Sequence, residues 1–258
     1  MEKHNQMPLV SVVMPSYNAA AFQDAAIASV AGQTMENWEL IIIDDCSRDG
    51  SFEIACRWQD RDSRITAIRN EVNSGVAKTR NRGIEMARGQ YIAFLDSDDI
   101  WLPEKLERQL EKMKEADAQI GYCSYAIIGT DGQPVRGDYL VPEQARFEDI
   151  LKENYIQCSA MLIRADIVKA IRFNPDYYHE DYVLGLDMLR AGYRAAGCRE
   201  VLLQWRYLAN SRSFDKRKGA ANRWRIYRSY LKLPVWRAAY LFVCYTAAGL
   251  RKYLRRTK

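Results

Sequence analysis

The stretch Tyr91-Ile-Ala-Phe-Leu-Asp-Ser-Asp-Asp99 decides how this sequence of 258 residues is interpreted. Its apolar first half predicts a buried β-strand, and the strand runs directly into three carboxylates within four residues. Carboxylates this close repel one another unless cations or hydrogen-bond donors surround them. Two acids at positions i and i+2 after a strand can point into one cleft as oxygen ligands for Mg²⁺ or Mn²⁺. The alternative is an acidic loop that caps the following helix.

The same succession of apolar run and polar end recurs upstream. Strands are predicted at 9–14, 38–43 and 65–69, with helices at 20–33, 52–58 and 76–87 between and after them. This alternation predicts an α/β fold built on a mostly parallel, doubly wound sheet flanked by helices. Polar clusters follow the first two strands, at 15–18 and 44–45. Ligands bind beyond the carboxyl ends of such strands, so we expect these clusters and the acidic turn to form one site.

Beyond Trp101 the pattern is less regular. Pro103 opens a predicted helix, and further strands are expected at 120–128, 160–163 and 201–207. A helix follows His179-Glu-Asp181 and stops at Gly192.

Several classes of protein are excluded by what the sequence lacks. It contains no GxxxxGK[ST] and no GxGxxG after a strand, so neither a P-loop NTPase nor a Rossmann dehydrogenase is supported. With only His4 and His179 available, Ser/His/Asp hydrolysis is not supported either. Six cysteines without CxxC pairing, and a start that does not resemble a signal peptide, indicate reduced thiols in a cytosolic protein. They argue against a zinc module or a disulfide scaffold.

The charge is distributed unevenly along the chain. Residues 216–258 hold 13 Lys and Arg and no acid, whereas the rest of the chain has 25 basic and 33 acidic residues, a net charge of −8. A nucleic-acid-binding protein would carry its basic patch within the fold, so no nucleic-acid partner is expected. An acidic body with a basic segment instead predicts contact with an anionic membrane surface.

This basic segment is also amphipathic. Trp224, Tyr227 and Leu231 share one helical face, and after Pro234 the residues 238–250 carry no charge. That apolar run is too short to span a bilayer comfortably but suits a helix lying in the membrane interface. We therefore expect 216–258 to be a membrane-associating tail. The alternative is a terminal helix that docks on the core.

Five motifs in order resemble family 2 glycosyltransferases. They begin at Val10, Ser29, Trp38, Asn73 and Gly89 and read VSVVMPSYN, SVAGQT, WELIIIDDCS, NSGVAKTRN and GQYIAFLDSDD. The resemblance spans residues 8 to about 213 and implies the GT-A fold and an inverting reaction. The Trp-Leu-Pro that follows at 101–103 resembles the subset that builds bacterial cell-surface polysaccharides.

The resemblance also implies roles for individual residues. On the donor side, the base pocket would be lined by Pro15, Tyr17 and Asn18, with Asp45 accepting a hydrogen bond from the uracil ring nitrogen. Arg80 would lie beside the nucleotide, and Asp96 would contact the ribose. Arg206, Ser211 and Ser213 would be diphosphate contacts.

For the metal and the chemistry, Asp98 would hold the cation that bridges the diphosphate. Asp181 matches the family's catalytic base, although an acid here could instead be the N-cap of the following helix. Many relatives carry a histidine that adds a metal ligand near the end of the catalytic domain. Leu208 stands at that place here.

Together these expectations describe a membrane-associated glycosyltransferase dependent on Mn²⁺ or Mg²⁺, on the cytoplasmic side of the inner membrane. The donor is expected to be a UDP-linked sugar and the acceptor a lipid-linked glycan. Residues 1–100 would bind the nucleotide sugar, 101–215 the acceptor, and 216–258 the membrane. Two alternatives stay open: a nucleotidyltransferase on a related fold, and a non-catalytic sugar-nucleotide-binding membrane scaffold.

Overall fold

The computed structural model describes residues 7–208 and 215–254 of an α/β chain. The strands are β1 Val10–Ser16, β2 Trp38–Asp44, β3 Ile65–Arg69, β4 Tyr91–Phe94, β5 Ile100–Trp101, β6 Ile120–Ile128, β7 Pro134–Tyr139, β8 Leu162–Arg164 and β9 Ala195–Arg206. The helices are α1 Gln23–Ala31, α2 Ser51–Arg61, α3 Val76–Met86, α4 Lys105–Glu115, α5 Phe147–Lys152, α6 Ala165–Ile171, α7 Glu180–Arg190, α8 Lys216–Arg225 and α9 Val235–Leu254.

The first four strands form the parallel part of the sheet, in the order β3-β2-β1-β4. Every residue of β1 and β2 is buried, as expected for β-branched runs covered on both faces. Helix α3 packs closely on β1 because it carries Gly83, where a Cβ atom would overlap the side chain of Val13. The doubly wound arrangement predicted for this part of the chain is thus present.

The second part of the sheet is mixed. Strand β8 is antiparallel to both β4 and β6, β6 and β9 are parallel, and β5 and β7 pair antiparallel with β9 and β6. All nine strands described belong to one sheet. The α/β prediction is confirmed, and antiparallel strands complete the sheet beyond the parallel part.

The tail docks on this body along one face. Ile226 and Tyr227 lie in a π-helical turn after α8 and have no exposed surface. The Tyr227 hydroxyl donates to the Leu151 carbonyl at the end of α5 (2.6 Å), and Arg237 pairs with Glu148 (2.7 Å). The docking foreseen as the alternative for this segment therefore occurs.

The opposite face of α9 is open. Its exposed apolar side chains include Trp236, Tyr240, Val243 and Leu250, of which Trp236 is 73% accessible. These positions are spaced by three, four or seven residues, so they lie along one side of the helix. Within the part of the chain that is described, no helix has both the length and the apolar character to cross a bilayer.

Candidate active site

Three polar strand ends meet at one edge of the sheet. Strand β1 lies between β2 and β4, with Ser16 in register with Asp44 and Val13 with Phe94. The backbone N–H of Asp45 donates to the Ser16 carbonyl at 2.7 Å. The polar residues that follow β1, β2 and β4 are therefore neighbours, as the doubly wound pattern predicted.

Asp45 is held by the loop that precedes α3. Its carboxylate accepts hydrogen bonds from the Asn70 side chain (2.7 Å), the backbone and hydroxyl of Ser74, and the backbone N–H of Gly75. Burial raises the pKa of Asp45, but these donors outweigh it and hold the pKa below its ordinary value. Gly75 has φ +85°, which favours glycine at this contact. Asp45 is thus an ionised anchor for the loop at 70–75.

After β1, one aromatic ring is exposed to solvent and one side-chain amide is held by hydrogen bonds. Pro15 is buried, whereas Tyr17 is 51% exposed. Asn18 has φ 48°; its backbone donates to the Ser47 hydroxyl, and its side-chain oxygen accepts from the backbone of Arg48. Asn18 therefore ties the end of β1 to the turn after β2, and Tyr17 remains available to stack on a planar ring.

The acidic turn after β4 contains three different carboxylates. Asp99 is buried and accepts from the Ser159 hydroxyl (2.6 Å) and from the backbone N–H of Arg206. Asp96 accepts from the Arg80 guanidinium at 2.5 Å. Asp98 is half-buried, and burial together with the charge of Asp96 raises its pKa to about 6. Burial raises the pKa of Asp99 even further, but its oxygens are already held by Ser159 and Arg206, so Asp98 is the carboxylate that an added cation can reach.

Arg206 holds this turn from the end of β9. Its backbone N–H binds Asp99, its Nε donates to the Asp98 carbonyl at 2.9 Å, and its Nη1 donates to the Gly129 carbonyl at 2.7 Å. The guanidinium also lies 4.7 Å from the ring centroid of Phe22. The predicted diphosphate contact is thus a buried side chain that positions the acidic turn. Ser211 and Ser213 lie outside the described residues.

Arg80 links the two halves of the chain. It is 4% exposed, and its guanidinium donates both to Asp96 and to Glu180, the latter at 2.6 Å. Its side chain also lies against the ring of Phe173, 5.3 Å from the centroid. A planar fork of donors suits two carboxylates on different elements, which an ammonium group holds less well. Arg80 therefore fixes the start of α7 relative to the acidic turn.

Asp181 lies in the first turn of α7, directly after Glu180. The N-cap of this helix is His179, so Asp181 does not have the capping role considered from the sequence. Burial, and then the charge of Glu180, raise the pKa of Asp181 to about 6, while Arg80 opposes the shift. A carboxylate with this pKa is ionised at neutral pH and still accepts a proton readily, as a general base must.

A divalent cation is compatible with the acidic turn. The described residues contain no group of three or more His, Cys, Asp or Glu side chains that could hold a metal by themselves. Burial, and then the charge of Asp96, nevertheless disfavour the ionised form of Asp98, which a cation would stabilise, and its oxygens are of the type that Mg²⁺ and Mn²⁺ prefer. The residues therefore fit a cation whose coordination is completed by a ligand.

Sequence reasoning missed several residues that shape this site. Ser159 binds Asp99 and also accepts from the backbone N–H of Asp96, while Glu180 pairs with Arg80. Phe173 packs beside that pair. An acid directly before the predicted base was the visible signal for Glu180, whose burial only the structure shows. Ser159 and Phe173 gave none, because their contacts join residues 60 or more positions apart.

The model of glycosyl transferase family 2 matches residues 11–172, more than half of the chain. The chain belongs to glycosyltransferase family 2. TuaG of Bacillus subtilis, a proposed teichuronic acid biosynthesis glycosyltransferase, is 37% identical over 97% of this chain and 99% of its own. WfgD of Escherichia coli is a UDP-Glc:alpha-D-GlcNAc-diphosphoundecaprenol beta-1,3-glucosyltransferase. It is 34% identical over 95% of each chain.

Solved structures agree at the level of the fold. TarS of S. aureus (residues 1–349, in complex with UDP-GlcNAc) superposes with a TM-score of 0.69 at 17% identity, covering 94% of this chain and 72% of the 1–349 chain. The mannosyltransferase PcManGT of Pyrobaculum calidifontis, in complex with GDP-Man and Mn²⁺, gives 0.66 at 15% identity, covering 98% and 77%. This family 2 enzyme is a glycosyltransferase with the GT-A fold predicted from its motifs.

Proposed function

We propose that this glycosyltransferase transfers a sugar, with inversion, from a UDP-linked donor to a lipid-linked glycan in the synthesis of a bacterial surface polysaccharide. The observation that carries the proposal is the chain of contacts Asp96–Arg80–Glu180, which ties the donor end of the sheet to the helix bearing Asp181. The names of the relatives support the substrate classes. WfgD and WfaP, 34% and 35% identical to this chain, are named as transferring from UDP-Glc to GlcNAc-diphosphoundecaprenol.

On the donor side, the open ring of Tyr17 would stack on the base while Asn18 and Pro15 shape the wall beside it. Asp45, ionised and fixed by the loop at 70–75, would accept from the ring N–H of uracil. Asp96 would bind the ribose through the oxygen that Arg80 leaves open. Preorganised polar groups of this kind bind without the cost of being ordered by the ligand.

The metal would be Mn²⁺ or Mg²⁺, held by Asp98 together with the donor's own diphosphate. When bound, it supplies the positive charge that stabilises the departing nucleoside diphosphate. Arg206 would keep Asp98 in place, because it binds the backbone carbonyl of that residue.

On the acceptor side, Asp181 would remove the proton from the attacking hydroxyl. Burial, and then the neighbouring charge of Glu180, keep the carboxylate basic, and the ion pair with Arg80 holds Glu180 in place. A single base is sufficient for one in-line displacement, because a nucleoside diphosphate leaves without needing a general acid.

The tail would bring this chemistry to the membrane. Its body-facing side is docked, its opposite side is apolar and exposed, and residues 216–258 carry only basic charge. We therefore propose peripheral attachment at the cytoplasmic face of the inner membrane, where a lipid-linked acceptor is available.

The direct test is transfer to a short-chain GlcNAc-diphosphate lipid with UDP-Glc or UDP-GlcNAc and Mn²⁺, followed by mass spectrometry and analysis of the anomeric configuration. A product of inverted configuration is expected. Transfer with retention, or no transfer from any UDP-linked hexose, would overturn the proposal. Pyrophosphate release from a nucleoside triphosphate and a sugar phosphate would favour the nucleotidyltransferase alternative.

A further inference from the structure

An open cavity of about 460 Å³ lies between the segment before α7 and the helix α8. Its polar and aromatic lining comprises Asp176, Tyr177, Tyr178, Lys218, Asn222 and Arg225. None of these residues takes part in the donor site described above.

Two cations and two tyrosines are paired across this cavity. The Lys218 ammonium lies 4.9 Å from the ring centroid of Tyr178, and the Arg225 guanidinium lies 4.9 Å from that of Tyr177. Arg225 also donates to the Asp176 carbonyl at 3.1 Å, which fixes its orientation. Both cations are exposed, so their remaining donors can reach a ligand. Cations beside aromatic rings suit a ligand that combines phosphate groups with a sugar.

The cavity is coupled to the proposed base through Asn222. This buried side chain accepts from the backbone N–H of Tyr178 (3.1 Å), and its amide nitrogen lies 3.3 Å from Nδ1 of His179. His179 is the N-cap of the helix that carries Asp181. Tyr178 and Asp181 are three positions apart, and three residues of chain span at most roughly 11 Å. That reach is comparable to one sugar ring with its diphosphate.

We propose that this cavity binds the diphosphate of the lipid-linked acceptor, with Lys218 and Arg225 on the phosphate oxygens and the tyrosines against the first sugar. The inference rests on the proposed function and assigns the acceptor a site in it. The acceptor's lipid would then leave the cavity beside the basic tail, and its sugar would extend towards Asp181.

The charges around the cavity predict that removing the carboxylate of Asp176 increases the affinity for a diphosphate. Asp176 places one carboxylate beside the two cations, so the charged side chains of the lining sum to one positive charge. Replacing this acid by its neutral amide should strengthen diphosphate binding. A cavity that served only as packing space would not respond in this way.

The experiment compares Lys218→Gln/Arg225→Gln with the matched control Arg217→Gln/Lys232→Gln. Both pairs remove two positive charges from the tail, but Arg217 and Lys232 do not line the cavity. The probe is a short-chain GlcNAc-diphosphate lipid in detergent. We expect the cavity pair to raise the acceptor KM about tenfold or more with the donor KM unchanged. The control pair should stay close to wild type, and Asp176→Asn should lower the acceptor KM.

Competition identifies the recognised group. Inorganic pyrophosphate should inhibit the wild type competitively against the acceptor more strongly than it inhibits the cavity pair. An equal rise in KM for both pairs, or an unchanged KM in the cavity pair, would overturn the inference. If the wild type transfers no sugar to any acceptor, it is the proposed function that fails. If the cavity pair has a lowered melting temperature, its higher KM could reflect lost stability. Asp176→Asn then decides, because its side chain is exposed, its substitution leaves the fold unperturbed, and it should lower the acceptor KM.

Discussion

Burial first, and a neighbouring acid second, raise the pKa of both Asp98 and Asp181 to about 6, so the places of the two residues in the fold are what distinguish them. Asp98 lies in the turn of three carboxylates after β4, whereas Asp181 lies in the first turn of α7, and Arg80 pairs with the acid beside each of them. We therefore propose the first as the cation site and the second as the proton acceptor. Two carboxylates of equal acidity can thus be separated by what surrounds them.

The first prediction uses this difference. Asp98→Asn should weaken Mn²⁺-dependent donor binding, because the amide lacks the charge that would hold the cation. Asp181→Asn should leave donor binding nearly intact and reduce turnover by about 10²- to 10⁴-fold, because an amide cannot accept the proton. Calorimetry with UDP and Mn²⁺, beside the transfer rate, measures both. Asp60→Asn on the exposed side of α2 is the control. Similar losses of donor affinity in both site variants would refute the division of roles.

The second prediction concerns pH. A base acts only when ionised, so kcat at saturating donor, metal and acceptor should rise with pH and be half-maximal near the Asp181 pKa of about 6. Below that pH the carboxyl is protonated and the rate falls. Saturating Mn²⁺ suppresses the competing protonation of Asp98. Asp181→Glu should displace the rising limb, whereas a profile that stays flat from about pH 5 to about pH 8 would contradict the assignment.

The third prediction tests Arg80 as a buried link. Arg80→Leu leaves Glu180 buried without its cation and should cost about 3–5 kcal/mol in the free energy of unfolding, measured with urea. Arg80→Leu/Glu180→Gln should recover part of the loss. The exposed pair Arg172–Glu85 provides the comparison, since Arg172→Leu should cost at most about 1 kcal/mol. If Arg80→Leu and Arg172→Leu lower the free energy of unfolding equally, Arg80 has no special structural role.

At the scale of elements, α9 has two faces with different neighbours. Ala238 and Leu241 are buried against the body, while Trp236 and Tyr240 point away from it. Removing the whole tail would therefore also remove Ile226 and Tyr227 from the core. Substitution of the outer face is the cleaner way to examine attachment to a membrane.

The fourth prediction follows from that outer face. Trp236→Ser/Tyr240→Ser should reduce binding to phosphatidylglycerol vesicles about tenfold or more, because two large apolar side chains no longer enter the interface. The melting temperature should change little. Val72→Ser/Val135→Ser removes exposed apolar side chains elsewhere and should not alter binding. Equal vesicle binding by the variant and the wild type, or a wild type that ignores anionic vesicles, would exclude α9 as the anchor.

The sequence predicted those strands and helices that are long enough to show a hydrophobic pattern of their own. Long apolar runs predicted β1, β2 and β6. Strand β5 was missed because two residues show no alternation, and β9 begins at Ala195, before its predicted start, because Ala195–Gly197 lack β-branched side chains. Helices α5 and α6 have six and seven residues, too short for a clear period.

At the scale of the molecule, the alternation of strands and helices along the chain predicted that three strand ends lie at one edge of the sheet, because parallel strands all end on the same side. It could not predict contacts made across the fold. Arg80 and Glu180 are 100 positions apart, and nothing near either residue indicates the pairing. The sequence also could not show which side of the tail faces the body. Trp224 and Tyr227 share a helical stripe, yet Trp224 is 38% exposed and Tyr227 is fully buried.

The docking of Tyr227 has a consequence for biosynthesis. Chains emerge from the ribosome N-terminus first, so the whole sheet is made before Ile226 and Tyr227 exist to cover α5 and α7. During that interval the Leu151 carbonyl lacks the hydroxyl that later binds it, and the apolar surface beneath the tail is open to solvent. Nascent chains in this state are candidates for chaperone binding. A nonsense codon before position 226 would make that exposed state permanent and yield a product prone to aggregation and degradation.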